Sequence, residues 1–292
     1  MIKNNKQYES AFNTKPLERL ASRSKGLAPL NLSKAKRHFF LIDTETIGDI
    51  KKGEKAFPYD VSFLKVFKRK IVDKMALINT DIFDNEYQMS NAFYKNKIPF
   101  YKHELETNEL YQRKNDIDIL VLLNKLIKQD KIKYFLAYNV RFDYESINNL
   151  YELKGKNIPN EFKKLYLVDI WKIATDIIIM FPELYKSFML FCFENRLFTE
   201  SGANVQTGAE CMNKFVNNDI NFIENHTGLE DTYCELNILL KMLWYYEKHT
   251  GLDYYYKLDS INNGHGKHFR GGAFNIDKLA QFIPNYKTLL NN

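Results

Sequence analysis

The apolar run HFFLID, His38 to Asp43, stops on two carboxylates, Asp43 and Glu45, with Thr44 between them. A short unbroken apolar run bounded by charge reads as a buried strand. Side chains two apart on a strand share a face, so both carboxylates project the same way at the strand's carboxyl end. Two like charges beside a core resist desolvation unless something positive sits between them. A hard divalent cation with oxygen ligands meets that need. The chain must therefore fold so that a buried strand ends at an acidic recess. Taken alone, a DxE at a strand end is more often an ordinary polar terminus.

The next segments extend the sheet. Residues Val61 to Phe67 and Ile71 to Asn79 read as two strands, completing a meander of three. From Asp116 to Lys128, Ile119, Leu122, Leu123 and Leu126 fall at i, i+3, i+4 and i+7, the pattern of a helix with one buried face. A strand at Tyr134 to Tyr138, a helix from Asp143 to about Leu153 and a fifth strand at Leu165 to Ala174 are expected next. Pro182 opens a helix through Glu194, the turn-rich Thr199 to Gly208 leads to a helix near Ala209 to Val216, and a long helix follows His226. In it Leu236, Leu239, Leu240 and Leu243 form a core stripe. This alternation predicts an α/β fold: a mixed five-stranded sheet flanked by helices.

Two more segments carry chemistry. In AYNVRFD, Ala137 to Asp143, a strand runs into a loop and Asp143 sits just past its carboxyl end. Alone, Asn139 would be a turn residue and Phe142 a core plug. In HTGLED, His226 to Asp231, Thr227 and Glu230 have the spacing of a capping box, with Thr227 as N-cap. His226 then lies just outside the helix and Asp231 in its first turn, so both can face one cavity.

The ordered set DxE, N-x-x-F-D and H-x-x-x-x-D resembles the three motifs of the DEDDh exonucleases, a family that includes bacterial proofreading subunits and RNase T-like enzymes. The resemblance spans roughly residues 38 to 247. Asp43 and Glu45 match the first motif, Asn139, Phe142 and Asp143 the second, His226 and Asp231 the third. The sister family with a tyrosine would need Tyr at position 227, where this chain has Thr227. The resemblance implies an RNase H-like fold and two Mg²⁺ or Mn²⁺ ions held by Asp43, Glu45, Asp143 and Asp231, with Asp43 shared between them and His226 as general base. It also implies substrate contacts from Thr44, Thr46, Asn139 and Phe142. Ile47 departs from the last Thr of the family's DTETTG.

The implied activity is release of nucleoside monophosphates from 3′ ends, DNA favoured. The alternatives are an exoribonuclease of RNase T or oligoribonuclease type and a non-catalytic nucleic-acid-binding protein on the same fold; nothing in the sequence reads a 2′-hydroxyl. Expected partners are single-stranded or frayed 3′ ends and a polymerase or other replication protein. Of the net charge of +6, residues 1–37 hold nine Lys/Arg against two Asp/Glu, or +7, leaving −1 for the rest. The excess is a tail, suited to a polyanion or to plain solvation. Three regions are expected: a basic extension at 1–37, the exonuclease domain at 38–250 and a C-terminal extension at 251–292. No apolar run nears the roughly 20 residues of a membrane span. Cys192, Cys211 and Cys234 form no CxxC pair. Reduced thiols and a cytoplasmic location are expected.

Overall fold

The computed structural model describes residues 27–29, 38–48, 53–257 and 272–290. Strand β1 (Leu27–Pro29) belongs to a small ribbon. The main sheet holds β2 (Phe39–Ile47), β3 (Phe57–Phe67), β4 (Lys70–Asn79), β5 (Tyr111–Lys114), β6 (Tyr134–Ala137) and β7 (Tyr166–Asp169). Their order across the sheet is β5-β4-β3-β2-β6-β7. The β2, β3 and β4 meander is antiparallel, and β5, β6 and β7 join it through parallel pairings. Strand β8 (Tyr255–Lys257) pairs antiparallel with β1, so part of the N-terminal extension meets part of the C-terminal one. The rest of the basic tail up to residue 37, and residues 258–271 of the C-terminal extension, lie outside the described residues.

Seven helices of nine residues or more surround the sheet among the described residues: α1 (Ile98–Thr107), α2 (Asp116–Gln129), α3 (Val140–Leu153), α4 (Ile170–Met180), α5 (Pro182–Glu194), α6 (Ala209–Asn217) and α7 (Gly228–Thr250). The mixed α/β sheet flanked by helices is as expected, one strand wider than five. The added edge strand β5 is a short polar segment, YQRK, with no apolar period to announce it.

Strand β3 begins at Phe57 and α3 at Val140, both earlier than expected, and one boundary differs in kind. Leu165 to Ala174 was expected to be a single strand, but the strand ends at Asp169 and α4 begins at Ile170. The run is apolar apart from Asp169 and Lys172, so period alone does not separate strand from buried helix. The turn is made by Asp169, whose carboxylate caps α4 by accepting from the Lys172 amide at 3.4 Å. It also accepts from the Asn139 amide at 3.2 Å, which holds the loop after β6.

The core is built on the centre of β2, where Phe39, Phe40, Leu41 and Ile42 are all buried. Helix α7 packs across β2 and β3, with Leu236, Leu239 and Leu243 buried and Leu240 partly so. All three cysteines are buried free thiols, with the sulfurs of Cys192 and Cys211 3.8 Å apart. Among the described residues no helix is long and apolar enough to cross a membrane.

The start of α7 is pressed against β3. The Gly228 amide donates to Asp60 Oδ2 at 3.1 Å, and a Cβ at position 228 would lie 2.8 Å from that oxygen and 2.9 Å from Ser62 Cβ. Gly228→Ala is therefore expected to destabilise the fold by about 1–3 kcal/mol, the usual cost of overpacking. Denaturant unfolding measures it; unchanged stability would show that the helix start is not held this closely.

Candidate active site

Asp43 and Glu45, two apart on β2, face the first turns of α7, and carboxylate oxygens of Asp43, Glu45 and Asp231 all lie within 4.8 Å of one another. Register explains the crowding, because Glu45 pairs with Asp60 across β3 and Asp43 with Ser62. A β-bulge directly after Glu45 shifts the register by one residue, so that Tyr59 is skipped and Thr46 pairs with Pro58 and Ile47 with Phe57. Asp60 is fully buried yet well served: Ser62 Oγ and Tyr101 OH each donate to it at 2.7 Å, beside the Gly228 amide. Burial still pushes its pKa up, to about 6.

Asp143, in the first turn of α3, is 2% exposed and anchored from β2. The Thr44 amide and hydroxyl both donate to its Oδ1 at 2.9 Å, and the same hydroxyl lies 3.0 Å from Ser146 Oγ. Thr44 is itself buried, so its side chain holds Asp143 against the strand end. Burial and then the charge of Asp143 raise the Asp43 carboxyl well above its ordinary range, and burial and then Asp231 raise that of Glu45. Asp143 and Asp231 are raised too, burial being the largest cause in each.

His226 occupies the turn before α7 in a left-handed conformation (φ 53°). The Asp231 amide donates to Thr227 O at 3.0 Å, which holds the first turn of α7 directly after His226. The His226 ring stacks on Tyr94, with centroids 4.3 Å apart and planes 8° from parallel, and Nδ1 lies 3.8 Å from a Glu224 oxygen. Burial lowers the imidazole pKa from its ordinary 6.5. The capping box takes a different form. Thr227 is the N-cap, but its hydroxyl donates to Glu230 Oε2 at 3.0 Å instead of accepting from a helix amide. Asp60 meets the first amide in its place.

These groups share a cavity of about 750 Å³ lined by Asp43, Thr44, Glu45, Thr46, Phe142, His226 and Asp231. Asn139, left-handed at φ 72°, lines instead a neighbouring cleft of about 500 Å³ that shares Phe142 with the first. Asp143 lies in the wall behind Thr44.

Sequence reasoning missed Glu235, one turn beyond Asp231 on α7, which is 2% exposed and lines the acidic cavity. The D-x-x-x-E spacing, which puts both on one helix face, could have found it. It also missed Glu224 and Glu210, which with His226 place ligand-type atoms within 4.8 Å of one another. Glu210 belongs to α6, so no local spacing announces it. Burial and then Glu210 push the Glu224 pKa up to about 7.

A divalent cation fits the first cluster. Asp43 Oδ2 and Glu235 Oε2 are buried with no hydrogen-bond donor, and a buried carboxylate oxygen without one is costly. The carboxylates of Asp43, Glu45 and Asp231, with Asp143 behind them, are the hard oxygen donors such an ion takes.

The sign of the pH dependence follows. A carboxyl whose folded pKa is raised binds more protons folded than unfolded, so its stabilising effect is full below the unfolded pKa and is lost as pH rises through the folded one. With Asp60 at about 6, Glu224 at about 7 and Asp143 and Asp231 at about 8, the window runs from the ordinary carboxylate range to about pH 8. Each unit corresponds to about 1.4 kcal/mol. Metal-free protein is expected to melt several degrees higher at pH 5.5 than at pH 7.5, with Mn²⁺ stabilising more at pH 7.5. Calorimetry checks both, and the reverse order would contradict the reading of the cluster.

No family model and no curated protein sequence matches the chain. Among solved structures it is similar to E. coli exonuclease I in complex with a dA16 oligonucleotide, at 15% identity and TM-score 0.45, over 74% of this chain and 42% of that one. A second exonuclease I structure gives 15%, TM-score 0.49, and coverage of 74% and 42%. A 3′-exonuclease that recognises the 3′ end of a histone mRNA stem-loop gives 15%, TM-score 0.44, and coverage of 81% and 71%. The chain thus spans less than half the length of the exonuclease I chains to which it is similar.

Proposed function

We propose that this protein is a divalent-metal-dependent 3′ to 5′ exonuclease that releases nucleoside monophosphates from nucleic-acid 3′ ends, DNA favoured. The observation that carries the reading is the convergence of Asp43, Glu45 and Asp231 within 4.8 Å in a cavity that also holds His226. The order and spacing of the DxE, N-x-x-F-D and H-x-x-x-x-D motifs support it independently.

Asp43, Glu45, Asp143 and Asp231 would hold two Mg²⁺ or Mn²⁺ ions. When bound, such ions neutralise phosphate charge, make a bound water more acidic and stabilise the leaving oxygen. The chain's own groups do the rest. His226 is neutral near pH 7 because burial lowers its pKa, so it accepts the proton of the attacking water. Tyr94, stacked on the imidazole, and Glu224, beside Nδ1, hold that ring in place. The water oxygen bonds to phosphorus, the P–O3′ bond breaks, and a 5′-monophosphate leaves while the shortened strand keeps a 3′-hydroxyl. Thr44 fixes Asp143 and thereby the shape of the acidic wall. Phe142, at the junction of the two cavities, is placed to pack on the terminal nucleotide.

Incubation with 3′- and 5′-labelled DNA and RNA strands, with Mg²⁺ or EDTA, tests the reading. Mononucleotide release from the 3′ label, abolished by EDTA and by Asp43→Ala, is the expected result; faster release from RNA would favour the exoribonuclease alternative, and binding without release the non-catalytic one. His226→Ala is expected to slow the chemical step by roughly 10²- to 10⁴-fold. In the wild type the single-turnover rate should rise with pH along a limb centred below 6.5 and flatten above it. In the mutant that limb should vanish. Equal rates for the two proteins from pH 6 to 9 would remove His226 from the mechanism.

A further inference from the structure

The segment between β4 and α1 places Phe93 on the wall of the acidic cavity with its ring in solvent, 81% exposed. An exposed aromatic on a loose loop would mean little, but this one stands on an anchored backbone. Its neighbour Ala92 is 5% exposed and forms an antiparallel bridge with Ile47, two residues past Glu45 on β2. The Ala92 amide donates to Met89 O at 3.1 Å, and Met89 is buried. The Phe93 Cα is thereby tied to the strand that carries Asp43 and Glu45.

The ring continues an aromatic series into the site. Phe93 meets Tyr94 edge to face, centroids 4.8 Å apart and planes at 86°, and Tyr94 in turn stacks on His226. One face of Tyr94 is thus taken by the imidazole, while the exposed ring of Phe93 has room for a partner. Lys95, next in sequence, lines the same cavity and supplies a cation to a wall opposite carboxylates. An exposed aromatic surface, a nearby cation and an acidic floor suited to a divalent ion together match one ligand chemistry: a planar base attached to a phosphodiester.

We propose that Phe93 is a specificity-determining residue that stacks an unpaired base beside the scissile phosphodiester and so selects single-stranded 3′ ends over paired ones. The inference rests on the nuclease reading above. In a blunt duplex the terminal base is covered on its inner face and held at its edge by its pairing partner, so only an unpaired base is free to turn either face onto Phe93. Stacking is tolerant of sequence because every base has a π-face. DNA and RNA share this chemistry and are separate arms of the test.

An internal control exists. Tyr87, on the same segment and equally exposed at 81%, does not line the cavity. Steady-state cleavage of single-stranded and blunt duplex DNA and RNA is measured in Mg²⁺ for wild type, Phe93→Ala, Phe93→Tyr and Tyr87→Ala. Phe93→Ala is expected to raise KM for single strands by roughly 5- to 150-fold, the range for loss of one base–aromatic stack, and to erode the preference over blunt duplexes. Phe93→Tyr and Tyr87→Ala should stay near wild type. A strand with an abasic residue at the stacked position should be cut alike by wild type and Phe93→Ala. Wild-type cleavage with an unchanged KM in Phe93→Ala, or an equal loss on the abasic strand, overturns the stacking role alone. Absence of wild-type cleavage on every strand overturns the nuclease reading and this one with it.

Discussion

Repulsion among buried carboxylates governs the layout of this molecule. Asp43, Glu45, Asp60, Asp143, Asp231 and Glu235 gather where β2 ends, most of them nearly inaccessible to water. In a low-dielectric interior each such charge is costly unless hydrogen bonds or an opposite charge compensate it. Two of the six are largely compensated by the protein. Asp60 takes donors from Ser62, Tyr101 and the Gly228 amide, and Asp143 takes the Thr44 amide and hydroxyl. Asp43 Oδ2 and Glu235 Oε2 have no donor at all. Asp60 is thus part of the scaffold, Asp143 is held in the site through Oδ1 by Thr44, and the unserved oxygens of Asp43 and Glu235 create the demand for a cation.

The same frame explains why the two chemical halves of the cavity stay in register. Asp60 ties the start of α7 to β3 through Gly228, and the Asp231 amide ties the first turn of α7 to Thr227, next to His226. The aromatic wall is tied to β2 by the Ala92 to Ile47 bridge. Floor, base and wall therefore hang on neighbouring points of two paired strands, and a shift of β2 against β3 would disturb all three.

Much of this was legible in the sequence where chemistry and period coincide. The run before Asp43 is apolar on both faces because β2 lies inside the sheet, so its end was visible, and with it the shared face of Asp43 and Glu45. Helix α7 was visible from its leucine spacing, which put Asp231 in the first turn. Where one period serves two structures, the reading slipped: Ile170, Ile173, Ala174 and Ile177 are helical, yet the run they belong to is as apolar as a strand. The aromatic wall was not legible, because residues 80–98 fold as single turns capped by Asn79 and Asn85, too short for any period to show. Glu210 was hidden for a different reason, its partners Glu224 and His226 being brought to it only by the packing of α6 on α7.

The two candidate ligand clusters assign His226 opposite duties. If Asp43, Glu45 and Asp231 take the ion, the imidazole stays free to accept a proton; if Glu210, Glu224 and His226 take it, the ring nitrogen is spent on coordination. Anomalous X-ray scattering from crystals of the full chain soaked in Mn²⁺ distinguishes them directly. The predicted result is manganese between Asp43, Glu45 and Asp231 with His226 uncoordinated. Manganese held by His226, or none among the three carboxylates, would contradict the central claim that the acidic cluster is built around a cation.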